Sequence, residues 1–258
     1  MIITAAPPRR PNRTRRVLVA LAIWLGVAAL LFTWAALQNA GYRAQYSAFR
    51  SDIKKALDAA PAQVKQAKDV GDSAAVGAVL SNLSTTLSQK SDSAPALPNI
   101  AGLRIGIDAE ARRQTTIVSE LKNTSQSLKQ AAEYIDFQGK IARSLQALSL
   151  KDAGNYDQII ALANAWKEAA NTLQHVSKPV QLAEVSATLL QKMIVAESRI
   201  RELAELHKQN DTAGFTAKQK ELAAIIDEIK PLGTKIAEIS ASIDSQLQRS
   251  IRALRQNL

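Results

Sequence analysis

Residues 17–37 read VLVALAIWLGVAALLFTWAAL, twenty-one positions without a charge. Arg9, Arg10, Arg13, Arg15 and Arg16 stand immediately before them. At about 1.5 Å per residue, a helix over this run is about 31 Å long and matches the hydrocarbon core of a bilayer. The stretch therefore predicts a transmembrane helix. A cleavable signal peptide shares the charged entry, but its apolar core is usually about 7–15 residues, and no clean A-x-A site follows here. The reading is a retained signal anchor.

The far side of the run begins Gln38-Asn39-Ala40-Gly41, and Arg43, Arg50, Lys54 and Lys55 come later, mixed with Asp52. The positive-inside bias thus expects a cytoplasmic N-terminus and an extracytoplasmic body over 38–258. Trp34, Tyr42 and Tyr46 are expected interfacial anchors, whereas Trp24 sits too deep. Residues 1–16 carry Pro7, Pro8 and Pro11 among the arginines and cannot bury apolar surface, so a disordered topology signal is expected there. Of the net charge of +10, five charges lie in this tail, which leaves the body at about +5. A mildly basic body without interleaved aromatics gives no nucleic-acid surface.

Composition narrows the function classes. The chain has no cysteine, so disulfides and thiolate chemistry are excluded. Aromatic residues make up only 4%. Such a sequence suits helices packed through small side chains better than an enzyme core around a deep pocket.

Beyond the span, apolar residues recur at three- and four-residue spacing, and the body reads as all-α. The first helix continues through Tyr42, Tyr46, Phe49, Ile53 and Leu57 until Pro61, which is expected to kink or restart it. A second covers about 73–89. A third, with a stripe from Ile100 through Ile107, Ile117, Leu121, Leu128 and Ile135 to Leu148, reads as a coiled-coil-like rod of close to fifty residues. The fourth runs from Tyr156 to about His175. Ser177-Lys178-Pro179 reads as the cap and first turn of the fifth. The sixth starts near Thr212, with Pro231 and Gly233 expected to kink or split it. The expected architecture is a transmembrane helix followed by an elongated antiparallel bundle with long helices.

Asp72, Asp152 and Asp211 each stand four residues before an apolar side chain, Val76, Tyr156 or Phe215, between two apolar-periodic segments. An aspartate there accepts bonds from free N–H groups and opposes the helix dipole, so these positions read as corners between helices rather than metal ligands. The helix, Asp turn and helix over 175–229, behind an N-terminal anchor, resemble in outline the antiparallel four-helix bundles of extracytoplasmic sensor domains such as those of chemoreceptors. The resemblance concerns architecture and anchor placement and carries over no ligand residues.

No catalytic constellation is present in the sequence. His175 and His207 are the only histidines, about 45 Å apart along a helix, each near a helix C-terminus where it meets the dipole. Glu197, Arg199, Arg201, Glu202 and Glu205 read as a solvated charged face. The Gly102–Gly106 pair lacks the strand context of a phosphate loop. Asn82 and Asn123 match the glycosylation pattern inside expected helices. No enzyme activity, metal or cofactor is expected. The one candidate site is Arg249, Arg252 and Arg255, spaced by three near one side of the last helix. There they complement the dipole or contact an anionic membrane surface or an acidic partner.

The sequence thus points to a single-pass membrane protein that works as a non-enzymatic interaction or scaffold module at the cell envelope. Its expected partners are the lipid bilayer and a protein, with no nucleic acid. Ala22 and Gly26, a small-xxx-small pair in the span, are compatible with a homo-oligomer. The alternative is an extracytoplasmic sensory domain that binds a ligand between helices.

Overall fold

The computed structural model describes residues 13–69, 71, 73–98, 106–146 and 155–258. They form six α-helices: α1 (Arg13–Asp69), α2 (Ser73–Asp92), α3 (Asp108–Gln146), α4 (Tyr156–His175), α5 (Ala183–Lys208) and α6 (Thr212–Asn257). No strand occurs among the described residues. The tail to residue 12, Asp72, Asp152, residues 102–105, and the ends of the third stripe at Ile100 and Leu148 lie outside them.

The chain divides into two compact units, 1–51 with 94–116 and 52–93 with 117–258. In the first, α1 begins at Arg13, four residues before the apolar run. Propagating a helix costs far less than nucleating it, so the run carries its entry residues along. α1 is the one described helix long and apolar enough to cross a membrane. Its large side chains are exposed, Trp24 by 78% and Leu30 by 72%. Beyond the run, Tyr42, Tyr46 and Phe49 are buried, as is Ile107. The two tyrosines stack with ring centres 6.0 Å apart. They are core residues rather than the exposed anchors the sequence suggested.

α3 begins at Asp108, later than its apolar stripe, because Gly106 adopts φ +80°, a left-handed conformation that a right-handed helix cannot include. Asp108 and Glu110 in its first turn then oppose the helix dipole. α3 has 39 residues, and both ends of the expected rod lie outside the described residues.

In the second unit, the partners of α2 and α3 run in opposite order along the two helices. Ser84 and Ser125 each donate a hydroxyl to the other's carbonyl, at 2.8 and 2.9 Å. A Cβ on Gly77 would lie 3.5 Å from the Ala132 carbonyl, and one on Gly139 would meet Ser73. Small residues therefore meet at this seam: Gly77 faces Ala132, Ser84 faces Ser125 and Gly139 faces Ser73. The same reversed order holds for α4 and α5, through Asn164–Arg201 and Tyr156–Glu205. It holds again for α5 and α6, through Lys192–Glu228 and Glu202–Lys218. α4 buries Ile159, Leu162, Ala163, Trp166, Ala169, Ala170 and Leu173, one face at helical spacing.

The helix ends explain the corners. Asn210 takes φ 55°, and the N–H groups of Asn210 and Asp211 bond the carbonyls of His207 and Leu206, which closes α5. Asp211 then caps α6 by accepting from the Gly214 N–H at 2.9 Å. A Cβ at Gly214 would come within 2.9 Å of Asp211 Cγ, so glycine is needed there. At α4 the cap is Asn155, accepting from the Gln158 N–H. Asp152 lies outside the described residues. Ser177 does not cap α5, whose N-cap is Leu182. Pro179 is extended, with φ −58° and ψ 148°, and a short 3-10 turn over Val180–Leu182 precedes α5. Lys178 instead donates to the Leu173 carbonyl at the end of α4.

Neither proline ends its helix. Pro61 lies inside α1 and Pro231 inside the 46-residue α6, which is not split.

Candidate functional site

The last three turns of α6 carry the three arginines singled out from the sequence, and their surroundings separate them. Arg249 and Arg255 are six positions apart, which rotates them by about 120° around the helix. Arg249 donates its Nε to the Ser245 carbonyl and lines a groove of about 410 Å³ between α3 and α6, opposite Glu120, Asn123 and Ser127. Hydroxyl bonds close the floor of this groove: Thr124 donates to the Ser250 carbonyl, and Ser127 meets the Ser250 hydroxyl at 3.1 Å. Arg252 is exposed. Arg255 turns to α1, donating to the Leu57 carbonyl at 3.3 Å, and lies 3.6 Å from the Asp58 carboxylate. The three guanidinium groups do not converge on one point.

A second polar constellation joins α5 to α6. Arg199 holds both carboxylate oxygens of Glu202 at 2.8 Å and lies 3.3 Å from Glu221. Lys218 bridges the same two carboxylates at 3.0 and 2.8 Å. Lys218, then Arg199, hold the Glu202 carboxyl below the usual range, and Glu221 foremost raises the Lys218 ammonium. The four charges neutralise one another, so the cluster fastens two helices and leaves no group poised to move a proton. The sequence showed the α5 members as a solvated face. Their partners on α6 could not be assigned without the corner at Asn210.

Next to this cluster, Tyr156, Ile160, Arg201, Glu205, Leu206 and Lys218 line a cleft of about 680 Å³ among α4, α5 and α6. The Tyr156 hydroxyl approaches Glu205 at 3.4 Å, and the Lys208 ammonium sits 5.7 Å from the Tyr156 ring centre. His175 and His207 both stand at helix C-termini. The first bonds the Asn171 carbonyl, and the second packs edge-on against Phe215. Among the described residues, no group of three metal-ligating side chains comes together.

In the first unit, Tyr42 donates to Gln114, whose amide donates to the Pro95 carbonyl at 2.6 Å. Arg43 donates to the Gly106 carbonyl and faces Glu110 at 3.6 Å. Burial pushes both tyrosine phenols above their ordinary value. These bonds tie residues 94–116 to α1, and the aromatic pair fills the space between.

No protein family, curated protein or solved structure matches this chain.

Proposed function

We propose that this chain is a membrane-anchored, non-enzymatic interaction or scaffold module of the cell envelope, with its N-terminus in the cytoplasm and a helical bundle outside. The observation that carries the reading is the helix α1, which presents an exposed apolar run and then continues into packed, charge-laced helices. Its arginine-rich entry supports the orientation. Hydroxyl-lined seams and self-neutralised ion pairs support a body that offers surface rather than chemistry. Arg249 and Arg252, both exposed, are the residues of the last helix proposed to meet an acidic partner or anionic lipid. In-cell cross-linking from exposed body positions tests the proposal. A protein captured reproducibly, and lost on exchanging Arg249 and Arg252 for glutamine, supports it. Cross-links to lipid alone would refute the scaffold reading.

The cleft beside Tyr156 favours one alternative, a sensory domain for a small solute. A thermal-shift screen separates the two. Stabilisation by one metabolite class, removed by Tyr156→Ala, favours sensing.

A further inference from the structure

Pro61 has no N–H, so the carbonyl four residues earlier loses its helical partner, and the ring crowds that same carbonyl. That carbonyl belongs to Leu57, and the Arg255 guanidinium, 198 residues away in sequence, donates to it at 3.3 Å. We infer that the last turn of α6 is a clasp on a proline hinge in α1: Arg255 supplies the donor that Pro61 lacks, and its release lets the Pro61 turn open.

The surroundings suit a device that opens. Leu254 and Leu57 are buried, at 0% and 3% exposure, so apolar packing brings the terminal turn to α1. The polar contact itself is wet: the Arg255 and Asp58 side chains are 50% and 57% exposed. Water can replace the guanidinium at the Leu57 carbonyl, which keeps the clasp weak enough to leave. A partner that engages the terminal turn would therefore change the bending freedom of the helix that also carries the apolar run. This goes beyond the scaffold reading and does not depend on which partner the body meets.

Amide hydrogen exchange on the full chain in nanodiscs tests the clasp, read on peptides around residues 57–66 and, as a reference, on α4. Arg255→Ala should speed exchange around Pro61 by about tenfold and leave α4 unchanged. Pro61→Ala restores the missing N–H and should slow exchange there. In the Pro61→Ala background, Arg255→Ala should change it by less than about twofold. Equal acceleration in both backgrounds would overturn the inference, because Arg255 would then act by packing or by its ion pair. So would an equal effect of Asp58→Asn, or acceleration that spreads to α4.

Discussion

Gly139 and Gly77 sit on opposite sides of the same α2/α3 seam, yet a single methyl group should move stability in opposite directions at the two positions. In a helix interior, glycine to alanine gains about 1 kcal/mol when space allows, because glycine gives up more backbone freedom on folding. At Gly77 the new Cβ would lie 3.5 Å from the Ala132 carbonyl, an ordinary contact, so Gly77→Ala should keep most of that gain. At Gly139 the Cβ would overlap the Ser73 hydroxyl and lie 3.1 Å from Ser73 Cβ. The hydroxyl can rotate away, but the Cβ contact forces the helices apart, and overpacking costs about 1–3 kcal/mol. Subtracting the propensity gain leaves Gly139→Ala destabilised by about 1 kcal/mol. For a chain of this size, the melting temperature should fall by about 3 °C in Gly139→Ala and rise by about 2 °C in Gly77→Ala. Circular dichroism melts of the full chain in detergent measure both. Adding Ser73→Gly should recover most of the loss in Gly139→Ala. Equal stabilisation by both alanines would refute the close seam.

Three further outcomes follow from other contacts. Lys218→Gln should raise the Glu202 pKa towards its ordinary value, read by carboxyl-carbon NMR titration; the lowered folded pKa means its stabilising contribution holds above the unfolded pKa and is lost as pH falls through the folded one. An unmoved Glu202 would show that Arg199 alone holds it. Tyr42→Phe should cost about 1 kcal/mol, because the Gln114 acceptor loses its donor in a buried place, and an unchanged melt would mean that water replaces it. Replacing Arg9, Arg10, Arg13, Arg15 and Arg16 should scramble orientation, measured by protease access to the body in intact spheroplasts, and unchanged access would place the topology signal after the apolar run.

Much of the helical outline was legible because it rests on local patterns. The uncharged run, the start of α4 at Tyr156, its end at His175 and the start of α6 at Thr212 each carry their own period or cap. The misreadings have two physical sources. Some concern local choices among several competent residues: Ser177-Lys178-Pro179 read as the start of α5, but an extended Pro179 delays it to Ala183. Others depend on partners far along the chain. Pro61 does not restart the helix, and nothing near it in sequence reveals that Arg255 reaches its orphaned carbonyl. Tyr42 and Tyr46 read as interfacial aromatics, but both are buried and Tyr42 bonds Gln114, seventy-two residues along the chain. Of the candidate site, the sequence located the arginines but not their divergence, which comes from what each meets on α3, on α1 or in water.

The small polar residues of this composition explain how some of these helices recognise one another. A seam of serine, threonine, glycine and alanine has little apolar area per residue, so burial alone would fix its register poorly. Here the hydroxyls supply the missing specificity: Ser84 and Ser125 exchange bonds with each other's carbonyls, while Thr124 and Ser127 both engage Ser250. Each bond contributes about 1 kcal/mol, but a shift of one residue would bury a hydroxyl or carbonyl without a partner, at about 1–3 kcal/mol each. Register is thus guarded by the cost of misalignment more than by the attraction of the match. On α6, Leu222, Leu232, Ile243 and Leu254 are buried. Ile225, Ile229, Ile236, Ile239 and Leu247 stay half-buried along 46 residues of helix. Apolar side chains such as Leu87, Leu128 and Phe137 supply the buried area, and the hydroxyl pairs fix the register in which they meet.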